Sequence, residues 1–149
     1  MTSAAEVAEL ARKSLLAADL SGFTDLFASD AVFEYPFGFL GAPPVLRGRE
    51  EIRTHLVESR RPVRATIEPT EMASTVHETT NPEVVVVEWE LAGTNLATGK
   101  PFRFASGVGV MTVHDGEITR YRDYTNPIGA ATATGRLPEL IAALTARAE

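Results

Sequence analysis

Apolar residues recur at helical spacing in the first third of the chain and again near its C-terminal end. Val7, Ala11 and Leu15 lie four residues apart, and the alanines around them favour a helix over residues 3–18. The same pattern predicts further helices at residues 23–28, 48–61 and 137–148. Pro62 is expected to end the third predicted helix, because a proline lacks the N–H that an α-helix needs.

The second half of the chain has the pattern of β structure. Four consecutive valines at 84–87 begin the strongest strand, since β-branched side chains suit a pleated sheet. Asp115-Gly116 is a typical hairpin turn, and Gly107 and Gly109 indicate a bulge or a close neighbour inside a strand. Strands are predicted at residues 31–37, 63–77, 84–92, 102–114 and 117–125.

The order of these elements predicts an α+β fold. A curved, mostly antiparallel sheet wrapped around the N-terminal helices would form a cone with an apolar cavity, which is a common place for a small-molecule site. The length of 149 residues is that of one ordinary domain, so residues 1–149 are predicted to form a single domain.

A loop is predicted at residues 38–48, which hold three glycines and two prolines. Long ordered loops in compact domains often line functional sites. Phe37, Phe39 and Leu40 lie at its start and could form a lid over the cavity, and Phe37 is a candidate to contact the substrate.

Composition excludes several classes of function. The formal net charge is −6 and no segment concentrates Lys and Arg, which argues against nucleic-acid binding. The chain has no cysteine, so disulfides, thiolate metal sites and cysteine nucleophiles are excluded. No apolar run approaches the roughly 20 residues of a membrane span, and no signal-peptide pattern begins the chain. A cytoplasmic protein is expected.

The last predicted strand carries the most informative residue. Strand alternation puts Tyr121, Asp123 and Thr125 on one face and the arginines at 120 and 122 on the other. An Asp123 that points into an apolar pocket would be desolvated, its pKa would rise, and it could serve as a general acid or base. An Asp123 on the opposite face would be an ordinary surface charge.

Several segments, taken in order, resemble the nuclear transport factor 2-like superfamily in its SnoaL-like polyketide cyclase branch. The narrower resemblance is to proteins related to the phenazine-biosynthesis A/B proteins. The segments that carry it are Asp19-Leu20-Ser21-Gly22-Phe23, Phe33-Glu34-Tyr35-Pro36-Phe37, Leu46-Arg47-Gly48-Arg49-Glu50-Glu51-Ile52, Val87-Glu88-Trp89 and Arg122-Asp123-Tyr124-Thr125-Asn126-Pro127.

This resemblance implies an acid/base role for Asp123 and disfavours two related activities. Ketosteroid isomerases carry their base at the position of Tyr35, and their other two functional groups fall near Val110 and Ala11, so the isomerase set is missing here. Epoxide hydrolases of this fold pair the last-strand carboxylate with an arginine on the central strand. The matching positions here hold Glu88 and Glu90.

The resemblance also suggests the neighbours of Asp123. Tyr35 is expected to point into the cavity and donate a hydrogen bond to a substrate carbonyl. Glu88 is expected to face inward as a second carboxylate, although alternation equally allows Trp89 to face inward and Glu88 to pair with an arginine. Phe33, Trp89 and Tyr121 are the further substrate-binding candidates.

The three histidines, His55, His77 and His114, are scattered and show no metal-ligand spacing. No cofactor is therefore expected. The leading hypothesis is a cofactor-independent cyclase, isomerase or dehydratase acting on a carbonyl-rich or polyketide-like molecule, with a small apolar or aromatic ligand. Because acidic and phenolic groups are expected inside, a strongly anionic ligand is disfavoured. The alternative is a non-catalytic ligand-binding or dimerisation protein of the same fold. A homodimer through the outer face of the sheet is compatible with either.

Overall fold

The chain forms helices packed against one face of a single sheet, in a computed structural model that describes residues 2–38 and 41–148. Phe39 and Leu40 of the predicted lid lie outside the described residues. The described strands are β1 (Phe27–Glu34), β2 (Val45–Arg47), β3 (Ile67–Glu78), β4 (Val84–Asn95), β5 (Pro101–His114) and β6 (Glu117–Thr125). The described helices are α1 (Ala4–Leu16), α2 (Leu20–Thr24), α3 (Arg49–Arg64), α4 (Pro127–Thr134) and α5 (Leu137–Ala148).

The described strands form one sheet in the order β2-β1-β6-β5-β4-β3. Neighbouring strands are antiparallel except β1 and β6, which run parallel, with Phe33 beside Tyr121. The predicted α+β class is therefore confirmed, and the parallel pair is an addition that the sequence pattern did not predict. Because β1 lies against β6, the last strand has a neighbour on each side and is held near the middle of the sheet.

The glycines of β5 serve two different purposes. Trp89 of β4 pairs with Gly107 and Glu90 pairs with Ala105, so Ser106 is an extra residue and β5 is bulged there. Gly109 instead leaves room for a side chain, because a Cβ at this position would overlap the hydroxyl of Tyr121. The prediction of a bulge or a close neighbour is confirmed.

Helix α1 packs its small apolar face on the sheet. Ser3 and Glu6 form a capping box at its start, with each side chain accepting a hydrogen bond from the other residue's N–H. Val7, Ala8 and Ala11 are fully buried, and α1 lies mainly against β3. Alanines on this face let the helix approach the sheet closely.

Helix α3 continues to Arg64, so the prediction that Pro62 ends it is wrong. Ile52 and Leu56 bury its inner face. Pro62 cannot donate to the carbonyl of Glu58, which costs one hydrogen bond, yet the helix runs on by another half-turn. The extension brings Arg64 onto the same face as Arg60, one turn away.

The start of β1 and the segment that follows it differ from the prediction. Phe27 belongs to β1 and pairs with Ile118, so the short second helix ends at Thr24. The predicted loop at 38–48 contains the short strand β2, whose Leu46 is buried and pairs with Phe33.

Helix α4 follows β6 after Asn126 and ends at Thr134. The side chain of Asn126 caps this helix, with its Oδ1 accepting from the N–H of Gly129 at 3.0 Å. Pro127 follows in the first turn, where its missing N–H costs nothing. None of the helices within residues 2–38 and 41–148 has both the length and the apolar character required to span a bilayer.

Candidate active site

A cavity of about 430 Å³ lies between the helices and the inner face of the sheet, meaning the face that carries Trp89, Tyr121 and Asp123. This volume is within the range of small-molecule pockets, roughly 300–1,000 Å³. Its walls are mostly apolar, and their side chains include Leu15, Leu20, Phe23, Met72 and Leu91. A polar group buried in these walls therefore acts on a ligand with little competition from water.

Asp123 lies in the wall of this cavity, on β6. Its side chain is only 13% exposed and accepts a hydrogen bond from Arg60, with 3.2 Å between Nη2 and Oδ2. Burial raises the pKa of the Asp123 carboxyl above its ordinary value, while the charge and hydrogen bond of Arg60 act in the opposite direction. The carboxylate is therefore a stronger base than a solvated aspartate, and it remains paired with a cation.

Arg60 is the functional residue that sequence reasoning missed. It lines the cavity from α3, four residues after the buried Leu56. Continuing the apolar face of the helix from Ile52 through Leu56 by one more turn would have placed Arg60 inward. The predicted helix at 48–61 already contains Arg60, so this extension of its apolar face was available from the sequence.

Tyr35 is buried beside Arg60 but is not among the residues that line the cavity. Its hydroxyl lies 2.8 Å from Nε2 of His55 and is also hydrogen-bonded to Arg60. Because a guanidinium only donates, Tyr35 accepts from Arg60 and can donate to a neutral His55. Burial and the charge of Arg60 lower the pKa of His55, which favours this neutral form. The expected direct contact of Tyr35 with substrate is not supported by this placement.

Tyr121 and Trp89 form a hydrogen-bonded pair in the cavity wall. Nε1 of Trp89 donates to the Tyr121 hydroxyl at 2.9 Å. Since an indole N–H only donates, the phenolic proton of Tyr121 is directed elsewhere, and no acceptor for it occurs among the described residues. The hydroxyl lies over Gly109, the residue paired with Asp123 across the sheet. A donor and a carboxylate are thus neighbours in one wall.

Phe33 lines the cavity as predicted and stacks on Tyr121, with ring centroids 5.3 Å apart and planes inclined by 6°. Phe37 does not. It is 82% exposed and packs edge-on against Tyr124, on the outer side of the sheet. The prediction that Phe37 contacts substrate is therefore wrong, because the chain leaves β1 on the side away from the cavity.

Glu88 also lies outside the cavity, which corrects its expected inward orientation. Its side chain is 58% exposed and bonds to His77 at 2.6 Å on the outer face. Alternation along β4 instead buries Val87 and Trp89 against the helices. The large indole fills the inner position, so the charged neighbours face solvent.

The cavity carries basic groups in addition to Arg60. Arg64 and Arg136 also line it, together with Glu139. The expectation that its polar groups would be mostly acidic or phenolic is therefore wrong. Among the described residues, no three His, Asp or Glu side chains are grouped closely enough to hold a metal ion.

Comparison with known proteins identifies the family. Residues 7–121 match the SnoaL-like domain. The chain belongs to the SnoaL-like family. The match ends two residues before Asp123, so it supports the fold and the cavity walls but gives no information on that carboxylate.

Individual relatives of this SnoaL-like protein agree with the family assignment. An uncharacterised PhzA/B-like protein of Pseudomonas aeruginosa is 30% identical over 118 residues, which are 78% of this chain and 79% of that protein. This confirms the predicted resemblance to the phenazine-biosynthesis proteins.

Two solved structures share the SnoaL-like architecture. A Bacillus subtilis protein proposed to be an isomerase superposes with a TM-score of 0.72 at 29% identity, covering 89% of this chain and 93% of that one. A Mycobacterium tuberculosis protein in complex with estradiol-17β-hemisuccinate superposes with a TM-score of 0.63 at 20% identity, covering 87% and 98%.

Proposed function

We propose that this protein is a cofactor-independent enzyme that moves protons on a small, largely apolar carbonyl compound, as a cyclase, isomerase or dehydratase. Asp123 is the general acid/base in this proposal. The observation that carries it is a single carboxylate, 13% exposed, in an otherwise mostly apolar wall of the sheet. Burying a charged carboxylate costs free energy. A carboxylate without a functional role would be more stable in water than in this apolar wall.

Arg60 allows the Asp123 carboxylate to act as a base in this proposal. Desolvation alone would push the pKa of Asp123 upward until the group stayed protonated and could not act as a base. The charge and hydrogen bond of Arg60 oppose that rise in the pKa and so favour the ionised form that a base requires. The Tyr35 hydroxyl accepts a hydrogen bond from Arg60 and is itself bonded to His55, which makes Tyr35 and His55 positioning residues in this proposal.

The proposed reaction begins with proton abstraction next to a carbonyl group. The Asp123 carboxylate takes the proton, the C–H electron pair becomes the enolate double bond, and the carbonyl π electrons move to oxygen. The phenolic proton of Tyr121 then forms a hydrogen bond to that oxygen as its negative charge develops. Preorganised donors of this kind contribute strongly to catalysis.

The protonated Asp123 completes the reaction by returning its proton. Delivery to a different carbon gives an isomer. Alternatively, the enolate carbon attacks a second carbonyl, and the proton goes to the alkoxide that this forms, which closes a ring. Delivery to a hydroxyl group that leaves as water gives dehydration. All three outcomes use the same two residues, so the shape of the ligand decides between them.

Small-molecule binding in relatives supports a ligand role for the cavity. One structure of this fold holds estradiol-17β-hemisuccinate, and the apolar walls here suit a ligand with a similar apolar body. The same support is compatible with a binding protein that performs no chemistry. Loss of proton transfer on removal of the Asp123 carboxylate separates the two alternatives.

Deuterium exchange tests the proposal without knowledge of the natural substrate. The protein is incubated in D₂O with ketones that have acidic α-protons, such as 2-tetralone and acetylacetone, and deuterium incorporation is followed by NMR. The wild-type protein is expected to accelerate exchange, and Asp123→Asn to lose at least about 100-fold, within the range for removal of a general base.

Glu88→Gln is the matched control for this experiment. It removes a carboxylate from the outer face of the same sheet and is expected to leave the exchange rate unchanged. Equal exchange by the wild-type protein and Asp123→Asn would contradict the assigned role of Asp123.

A cytoplasmic homodimer paired through the outer sheet face completes the proposal. Val108, Val110 and Tyr124 share this face, and the exposed Phe37 extends it. Light scattering coupled to gel filtration gives the mass directly. Phe37→Ser is expected to weaken a dimer of this kind, and a monomeric wild-type protein at micromolar concentration would contradict it.

A further inference from the structure

Three arginines line the cavity, and only one of them pairs with a carboxylate in the described chain. Arg60 pairs with Asp123, whereas Arg64 and Arg136 have no carboxylate oxygen within 4.0 Å in residues 2–38 and 41–148. Glu139 is the other acidic residue in the lining and is exposed. The cavity therefore carries more positive than negative charge, in a chain whose net charge is −6.

Arg64 is the most informative of these cations. Its side chain is half-buried, and its one hydrogen bond to a described residue runs from Nη1 to the carbonyl of Leu15, at 3.3 Å. A guanidinium has five N–H donors in a planar fork. Most of that donor capacity has no partner within the described chain.

The position of Arg64 costs folding free energy. It lies one helical turn after Arg60 on the same face of α3, and like charges at this spacing destabilise a helix. Burial, and then the nearby charge of Arg60, lower the pKa of Arg64. An anion bound to the Arg64 guanidinium inside the cavity would reduce both the repulsion from Arg60 and the cost of burying the charge.

We propose that the ligand of this cavity carries a carboxylate group and that Arg64 binds it. This inference rests on the proposed binding of a small molecule in the cavity, and it names the chemical class of that molecule. A carboxylate matches the guanidinium fork with two parallel hydrogen bonds, which is a strong and directional contact.

The geometry also places the reactive part of the ligand. Arg64 is four residues from Arg60, so the carboxylate would lie roughly 6 Å along the helix from the Arg60–Asp123 pair. The apolar walls around Leu20, Phe23 and Leu91 would then hold the rest of the molecule. The ligand is thus a compact apolar acid, with a carbonyl group near Asp123 and its carboxylate at Arg64.

Binding of a matched pair of probes tests the proposal directly. The probes are 2-naphthoate and its neutral analogue 2-naphthamide, measured by titration calorimetry at pH 7. The wild-type protein is expected to bind the carboxylate at least 10-fold more tightly. Arg64→Gln is expected to lose this preference and to bind the two probes within about 2-fold of each other.

Arg61→Gln is the matched control, because Arg61 is on the same helix but exposed. It removes the same charge outside the cavity and is expected to keep the preference for the carboxylate. A preference that survives in Arg64→Gln overturns the assignment, as does a wild-type protein that binds both probes equally or does not bind naphthoate.

Two further variants separate folding and catalysis from binding. The first is Arg64→Lys, which keeps the charge and loses the fork. It is needed because Arg64 also holds the C-terminal end of α1 through Leu15, so that Arg64→Gln disturbs packing as well as charge. Naphthoate affinity is expected to fall several-fold in Arg64→Lys, and an unchanged affinity overturns the proposal.

The second variant, Asp123→Asn, removes a negative charge from the cavity and is expected to preserve or strengthen naphthoate binding. The proposed chemistry is read separately, in deuterium exchange of neutral ketones. A failure of catalysis therefore leaves the binding result intact, and a failure of carboxylate binding leaves the exchange result intact.

Discussion

The guanidinium of Arg60 reaches from α3 to the carboxylate of Asp123 on β6, with 3.2 Å between Nη2 and Oδ2. This contact joins the helical layer to the centre of the sheet inside the cavity. Arg60 also holds the hydroxyl of Tyr35, which in turn contacts His55. The charge state of the candidate catalytic residue therefore depends on a helix that is remote from it in sequence.

Arg60→Gln is expected to destabilise the protein by about 1–3 kcal/mol at pH 7, because it leaves a buried carboxylate without its charged partner. The pKa of Asp123 would rise further, since the interaction lost is the one that lowers it. The loss of stability should therefore be smaller at pH 4 than at pH 7, because a protonated Asp123 carries no charge that needs a partner. Urea unfolding at both pH values measures the effect. Arg61→Gln on the exposed side of α3 is the control and should change stability by less than about 0.5 kcal/mol.

Asp123→Asn is expected to change the pH dependence of stability. The pKa of Asp123 in the folded protein is raised above its ordinary value of 3.8. The folded state therefore binds this proton more tightly than the unfolded state does, and the resulting stability is present below the ordinary pKa and lost as pH rises through the folded one.

The amide that Asp123→Asn introduces cannot titrate, so the free energy of unfolding of the wild-type protein relative to this variant should fall as pH rises from the ordinary pKa of 3.8 through the raised pKa of the folded protein. Each tenfold tightening of proton binding in the folded state contributes about 1.4 kcal/mol to that fall. Denaturant unfolding over this range provides the measurement. A difference that stays flat, or that grows with pH, would show that Asp123 is not desolvated.

Gly109→Ala is expected to destabilise the protein by about 1–3 kcal/mol, because the added Cβ overlaps the Tyr121 hydroxyl. In a Tyr121→Phe background the hydroxyl is absent but the ring carbon Cζ would still lie 2.6 Å from the added Cβ, so the same substitution should remain destabilising and cost about 0.5 kcal/mol less. Unfolding of the four proteins in this cycle gives the coupling energy. The one tryptophan of the chain, Trp89, donates to the same hydroxyl, so its emission should shift in Gly109→Ala. Additive effects would contradict the close approach.

Asn126→Ala is expected to cost about 1–2 kcal/mol, because Asn126 caps α4 and its amide donates to the carbonyl of Ala105 at 2.8 Å. Thermal unfolding measures this cost. Asn126→Asp keeps the capping oxygen and loses the amide donor, so it should lie between the wild-type protein and Asn126→Ala. An unchanged stability of Asn126→Ala would contradict the capping role of Asn126.

The sequence predicted the strands well because their signals are local. Four valines and two turns are enough to locate β4, β5 and β6 within a few residues. The direction that β4 faces was left open, since both of its faces carry large side chains. Packing settles that question, because only the face with Trp89 meets the helices.

The arrangement around Asp123 was harder to predict from the sequence. Pro62 is a strong stop signal, yet α3 passes through it, so Arg64 fell outside the predicted helix and its place on the same face as Arg60 was not recognised. The displacement of Tyr35 from the cavity wall has a related cause. Its hydroxyl is occupied by Arg60 and His55, which are partners that only the tertiary structure brings together.

The parallel contact between β1 and β6 has a consequence for folding. Phe33 pairs with Tyr121, 88 positions later in the chain, so this pairing closes a very long loop. Contacts between distant segments form slowly, and during synthesis β1 must wait exposed until β6 has been made. Because Asp123 is on β6, the strand that completes the sheet also delivers the carboxylate, and partly folded chains would have neither a finished cavity nor its base.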